Sequence, residues 1–305
     1  MTSKLIKLCR QLNLGQMTRE PQNVSGGFLH RMFRLDTASG IYAVKALNPD
    51  VMTRPEALRN MQTGEKVNAE FGMRNAEFRV CAPVGGVTEV EGAYFIVYPW
   101  VEGASVYPPE ITAEHCRVMG SALGCIHGAD IRVEGLQPDT AVRQPFDWSL
   151  TANAAPARWD AQVLAAQEKL LGVQVISHRD LDPKNVMWQG MTPCIIDWEA
   201  AGYVNPWQEL VELLNYWADD EPKARAMIGA YASHMDIAAA DWDAAISASM
   251  DGMLGWLHYN LRRAQGLEGT SPEDRAEGAR QAESTLAELH RYARRQEQLK
   301  NWLKM

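Results

Sequence analysis

Asp180, Asn185 and Asp197 carry side-chain oxygens, and the stretch Val173–Glu199 is built to bring them together. Asp180 and Asn185 lie five residues apart in the polar loop Ser177-His178-Arg179-Asp180-Leu181-Asp182-Pro183-Lys184-Asn185. Val186-Met187-Trp188 reads as a strand, Gly190 sits in the turn, and Cys194-Ile195-Ile196 reads as the returning strand. Such a hairpin returns Asp197 to the side of the loop. Two carboxylates and an amide oxygen on a rigid hairpin suit a hard cation such as Mg2+, which takes oxygen ligands and keeps phosphate oxygens in its sphere. Any one of these residues alone would read as an Asx turn capping its own backbone. Their order and their place between two apolar runs favour chemistry on phosphate.

The spacing His-x-Asp-x-x-x-x-Asn, with an Asp after the following apolar strand, is the catalytic-loop and metal-binding arrangement of kinases. His178, Asp180, Pro183 and Asn185 resemble the His-Gly-Asp-x-x-Pro-x-Asn loop of the aminoglycoside phosphotransferase family, the small-molecule branch of the protein-kinase-like fold. Ile195-Ile196-Asp197-Trp198-Glu199 resembles that family's metal-binding strand end. Arg179 departs from the usual Gly and makes the loop read His-Arg-Asp, as in protein kinases. The resemblance runs from about residue 20 to about residue 217 and is only compositional beyond. It implies an α+β, protein-kinase-like two-lobe fold. A small antiparallel-sheet N-lobe would span residues 1–98 and bind nucleotide. A mainly helical C-lobe, residues 99–305, would carry the catalytic loop and acceptor site, with a hinge near 98–103. It also implies phosphoryl transfer from ATP or GTP to a hydroxyl of a small molecule. Asp180 would orient that hydroxyl and take its proton, while Asn185 and Asp197 hold Mg2+.

Other elements must deliver the nucleotide to this loop. Asn23-Val24-Ser25-Gly26-Gly27 precedes an alternating strand, Phe28–Leu35. Ser25, Gly26 and Gly27 let backbone N–H groups approach phosphate oxygens closely. Alone, the glycine pair is equally a hairpin turn. Lys45 sits inside a second apolar strand, Ile41–Leu47, where an exposed lysine would snorkel. In a kinase the same position aims an ammonium at the α- and β-phosphates. Thr53-Arg54-Pro55-Glu56 reads as a helix start, with helical character to about Phe71 and Gly72 ending it. Of Glu56, Glu65 and Glu70 on that helix, Glu65 is the expected partner of Lys45. Ala93–Gly103 has the character of a hinge strand, where the backbones of Tyr98 and Val101 would meet an adenine edge because Pro99 lacks an N–H. His127, in Leu123-Gly124-Cys125-Ile126-His127, reads as a buried structural histidine.

Asp197 is followed directly by Trp198–Pro206 and an apolar helical stretch, Trp207–Trp217. No activation segment closed by Ala-Pro-Glu intervenes, which argues against a polypeptide acceptor. Asn205 and Glu209 stand where the family has Asp. Residues 221–305 are helical in pattern, with Asp251, His258 and Arg262 sharing a polar face.

Composition bounds the rest. The 305 residues, 46 % apolar and 22 % charged, suit a two-lobed globular protein. A net charge of −8 argues against a nucleic-acid partner. No run approaches the roughly 18 apolar residues of a membrane span, and the N-terminus has no leader pattern. Five scattered cysteines without C-x-x-C spacing read as reduced thiols of a cytoplasmic protein. Glu199, Glu209, Glu212 and the run Asp219-Asp220-Glu221 would favour a cationic acceptor if they face the cleft. The rival readings are a kinase of choline, homoserine, a pentose or an amine sugar, and a catalytically silent nucleotide-binding module.

Overall fold

A computed structural model describes residues 1–24, 30–74, 78–268 and 271–304. The chain divides into two compact units. One comprises Met1–Glu110, Ala129–Leu136 and Ile176–Gly202; the other comprises Ile111–Gly128, Gln137–Val175 and Tyr203–Met305. The segment Ile176–Gly202 therefore groups with the N-terminal strands, although helices flank it in sequence.

The first unit begins with α1 (Thr2–Gln11), followed by β1 (Gln22–Val24), β2 (Arg31–Thr37) and β3 (Gly40–Ala46). Next come α2 (Pro49–Met52), α3 (Ala57–Arg74), β4 (Arg79–Val80), β5 (Thr88–Val90) and β6 (Ala93–Pro99). The sheet order is β1-β2-β3-β6-β5, with antiparallel neighbours. Strand alternation sorts the side chains. Phe33, Leu35, Val44, Ala46, Phe95 and Val97 form one core with Leu5 and Leu8 of α1. Lys45, between Val44 and Ala46, must point to the opposite face, where its register partner is Ile96. Ile96 joins Leu47 and Met61 of α3 in a second cluster.

Two helix boundaries differ from the sequence expectation. Thr53 closes α2, its Oγ1 donating to Asp50 O at 2.7 Å, so it does not cap α3. Asn48 already caps α2 and leads the chain into a helix before Thr53. Gly72 does not end α3, which continues to Arg74; a single glycine disfavours helix by only about 1 kcal/mol.

Strand β7 (Val175–Ser177) leads into the loop, and β8 (Val186–Gln189) and β9 (Thr192–Ile195) form the hairpin. Gly190 takes φ +61° in its two-residue turn, a conformation glycine adopts without strain. β9 also pairs in parallel with β4, Arg79 opposite Cys194 and Val80 opposite Ile195, which ties the hairpin to this unit.

The second unit is helical: α4 (Ala113–Gly128), α5 (Ala155–Leu170), α6 (Pro206–Trp217), α7 (Glu221–Ala232), α8 (Trp242–Ala248), α9 (Asp251–Ala264) and α10 (Pro272–Leu303). Asn205, Asp220, Asp241 and Ser271 cap the N-termini of α6, α7, α8 and α10. Gly120 lets α4 approach α7 so closely that a Cβ there would overlap the Met227 carbonyl. Among the described residues, no helix is long and apolar enough to cross a membrane.

Candidate active site

The loop from His178 to Asn185 is held by its own side chains. Asp180 donates its N–H to His178 Nδ1 at 3.2 Å, so the other ring nitrogen, Nε2, carries the proton and donates to Ile196 O at 2.9 Å. His178, fully buried and set edge-on to Trp198 at 4.7 Å, thus fastens the loop to the residue before Asp197. Asn185 donates its amide to Asp180 O at 2.8 Å and to Asp180 Oδ2 at 2.9 Å. The Asn185 backbone carbonyl accepts from Ile196 N–H at 3.0 Å. The structure therefore gathers Asp180, Asn185 and Asp197 around one short hairpin. Arg179 has φ +67°, the left-handed conformation that explains why glycine suits this position.

Asp197 also has a left-handed backbone, φ 65° and ψ 62°, and opens a single 3-10 turn, Trp198–Ala200. That turn sends the Trp198 ring inward against Phe71, 5.6 Å away. Asp197 and Glu199 then flank Lys45. Lys45 Nζ donates to Asp197 Oδ1 at 2.7 Å and to Glu199 Oε2. Burial alone would lower the Lys45 pKa, but the two carboxylates outweigh it and hold it above the ordinary lysine value. Burial would likewise raise the Glu199 carboxyl; His30 and Lys45 reverse this and keep it at about 2. His30 Nε2 lies 3.3 Å from the same Glu199 oxygen. Gly64 permits this packing, since a Cβ there would overlap the Trp198 carbonyl oxygen.

Glu65 is buried nearby but is not brought onto Lys45. Its Oε1 accepts from the Tyr98 hydroxyl, and its Oε2 accepts from Asn68 Nδ2 at 3.3 Å. Burial pushes the Glu65 carboxyl up despite these bonds. The expected Lys45–Glu65 pair is thus replaced by Lys45–Asp197 and Lys45–Glu199. The lysine's strand faces the hairpin, and Tyr98 has claimed the helix carboxylate.

Tyr98 also differs from the hinge expectation. Trp100 donates its N–H to Ile41 O at 2.9 Å, which makes Tyr42 and Pro99 a non-hydrogen-bonded pair. Ladder alternation then gives the next pair, Ala43 and Tyr98, both of its backbone bonds. The Tyr98 amide and carbonyl are committed to the sheet. Val101 lies beyond the strand. Ser25, Gly26 and Gly27 fall outside the described residues.

The acidic residues expected to draw a cationic acceptor have internal partners. Glu199 holds Lys45, Glu209 accepts from His127, and Glu212 accepts from Gln208. Asp219 pairs with Lys223, Asp220 caps α7 and Glu221 pairs with Arg225. The polar face of α9 is engaged as well. Asp251 and buried Asp160 both pair with Arg143 at 2.6 Å, His258 stacks on Phe146 at 4.9 Å, and Arg262 pairs with Glu268.

Sequence reasoning missed His30, Gly64 and Lys184, and gave Glu199 a different task. Lys184 Nζ lies 3.2 Å from Asp180 Oδ2, a contact that its i+4 spacing signals. Glu199 stands two residues from Asp197 in the quoted motif, the spacing that puts both on one side of the turn. His30 carries no sequence signal, because the loop that aims it is not periodic.

Comparison with known proteins bears on what this hairpin does. A model of the phosphotransferase enzyme family matches residues 20–246. No curated protein matches the chain by sequence. Among solved structures, a spectinomycin phosphotransferase in complex with ADP and spectinomycin is similar, at 14 % identity and a TM-score of 0.65, over 93 % of this chain and 94 % of that one. An amicoumacin kinase in complex with AMP-PNP and Ca2+ gives 12 % identity and a TM-score of 0.63, over 92 % of each chain. A choline kinase from Cryptosporidium parvum gives 11 % identity and a TM-score of 0.59, over 100 % of each chain. These likenesses show a protein-kinase-like fold, with an antiparallel sheet toward the N-terminus and helices toward the C-terminus. With three quarters of its length under the family model and the motif residues gathered on one hairpin, the chain belongs to the phosphotransferase enzyme family.

Proposed function

We propose that this phosphotransferase moves the terminal phosphoryl group of ATP to a hydroxyl of a small molecule, in a reaction that requires Mg2+. The observation that carries the reading is the convergence of the Asp180–Asn185 loop, Asp197 and buried Lys45 within one compact unit. Asp180 accepts the acceptor's proton as the new P–O bond forms and ADP leaves. Lys184 keeps that carboxylate beside the loop. Lys45 supplies a fixed positive charge for the nucleotide phosphates. Positioning and charge neutralisation are most of what phosphoryl transfer asks of a protein.

The donor set fits the metal. Asn185 spends its amide hydrogens on Asp180, which orients its oxygen end for a cation, and Asp197 adds a carboxylate. Two protein oxygens suffice for Mg2+, which keeps most of its octahedral sphere in phosphate and water. When bound, it would neutralise charge on the nucleotide phosphates. The nucleotide is ATP in this reading, with GTP as the competing donor, and Val101 is the remaining hinge candidate. Residues 1–98 would bind the nucleotide, and residues 99–305 would carry the catalytic loop and the acceptor site. Five free thiols support a reducing, cytoplasmic setting.

The named neighbours include a spectinomycin phosphotransferase and a choline kinase, and both support a small hydroxylated acceptor. The internally paired acids weaken the case for a cationic one. A coupled ADP-release screen with Mg·ATP, run against aminoglycosides, amino alcohols, pentoses and amine sugars, tests the proposal. At least one acceptor should raise ADP release well above its rate in water. Failure of every acceptor, with no Mg·ATP-induced rise in melting temperature, would favour a silent module.

A further inference from the structure

Lys45 is buried, and a buried ammonium is stable only with anionic partners. The helix carboxylate that would ordinarily serve, Glu65, has both oxygens engaged. Tyr98 holds one, and Asn68, itself donating to Cys81 O at 2.8 Å, holds the other. The ammonium's charge is felt at Glu65, but its ion pairs go to Asp197 and Glu199. Glu199 is already there. Its Oε2 accepts from Lys45 and faces His30 Nε2 at 3.3 Å. His30 is aimed by the backbone, because its Nδ1 accepts from Asn48 N–H at 3.0 Å and Nε2 must then carry the proton.

We infer that Glu199, steadied by His30, is the residue that positions Lys45, and that Glu65 and Tyr98 form a separate pair that does not. The inference rests on the kinase reading of the same site. If Asp197 turns to a cation, Glu199 becomes the one carboxylate still bonded to the ammonium. The anchor then sits on the same short turn as Asp197, braced by Trp198 and by Gly64 behind it. Lys45 would not depend on a carboxylate carried by α3, so no swing of that helix is needed to assemble the site.

Two measurements test this. The first is a pair of double-mutant cycles on unfolding without metal or nucleotide: Lys45→Met with Glu199→Gln, and Lys45→Met with Glu65→Gln. The first pair should couple by at least about threefold in the unfolding constant, whereas the second should be additive within about twofold. The second measurement is ATP hydrolysis by water, followed as ADP release with Mg·ATP. Glu199→Gln should lower kcat roughly tenfold to a hundredfold, the range a displaced catalytic group loses, with nucleotide KM changed less than about threefold. Glu65→Gln should keep kcat within about threefold. If Glu199→Gln does not fold, His30→Asn, which leaves both carboxylates, should lower kcat severalfold by itself. Stronger coupling of Lys45 to Glu65 than to Glu199, or an unchanged kcat in Glu199→Gln and His30→Asn, would overturn the inference. Wild-type protein with no Mg·ATP-induced rise in melting temperature would remove the kinase reading alone, and the nucleotide-free cycles would still decide the anchor.

Discussion

Two clusters of buried charge serve different ends. In the first unit, Lys45 meets Asp197 and Glu199, whose side chains remain 36 % and 28 % exposed. In the second, His127 bonds Glu209 Oε2 and the Tyr231 hydroxyl, each at 2.9 Å, and the His127 and Glu209 side chains are 0 % and 2 % exposed. The second cluster joins α4, α6 and α7 and is closed to solvent. Its polar atoms are matched to one another, and breaking it should lower stability. The first places two carboxylates on one ammonium at the edge of solvent, so its members can trade partners for phosphate or metal. The first cluster is half-open and over-supplied with carboxylates; the second is closed and matched.

The sharpest way to separate them is Asp180→Asn. It should lower turnover by at least about a hundredfold, the lower range for a general base, while Mg·ATP still raises the melting temperature. Near-wild-type turnover would remove Asp180 from the base position. Asp197→Ala should act on the nucleotide instead, abolishing the Mg·ATP-induced rise in melting temperature. That rise reflects about 2.7 kcal/mol when free ligand is a hundredfold above its dissociation constant. A rise equal to that of wild type would show that Asp197 does not hold the metal.

Glu209→Ala attacks the closed cluster and should lower unfolding free energy by about 3 kcal/mol, because His127 loses its buried partner. Folded protein should keep turnover within about threefold. Urea melts paired with kinetics would reveal a mistake if turnover fell further than stability. Gly64→Ala tests whether α3 supports the Asp197–Glu199 turn. Alanine favours a helix, yet the overlap with the Trp198 carbonyl should destabilise by roughly 1–3 kcal/mol and lower turnover more than Glu209→Ala does. A neutral or stabilised variant would mean that the turn can move aside. The smallest effect belongs to Arg179→Gly. Glycine relieves the left-handed strain but loosens the unfolded chain, so stability should shift by less than about 1 kcal/mol. A loss of more than threefold in turnover would assign the guanidinium a part in the reaction.

Much of this site is local and therefore legible in the chain. The distance from Asp180 to Asn185 is set by one loop, and Asp197 returns because a two-residue turn with Gly190 fixes the register of β8 and β9. The alternation of Ile41–Leu47 forces Lys45 to the face opposite the Val44 core. His127 was readable as structural from its place in an apolar helix.

The pairing of charges was decided elsewhere. Lys45 had Glu65, Asp197 and Glu199 as potential partners, and the choice turns on ångström distances between segments more than 150 residues apart. Tyr98 lies in a hinge by its neighbours in sequence, but the sheet takes its backbone and Glu65 takes its hydroxyl. The acidic residues after Asp197 look like a field for a cation until helix caps and lysines are found beside them. Spacing fixes which groups share a turn or a face, because covalent geometry carries that information. It does not fix which buried carboxylate satisfies which ammonium, because that depends on the packing of α3, β3 and the hairpin against one another, where a single glycine such as Gly64 sets the distance.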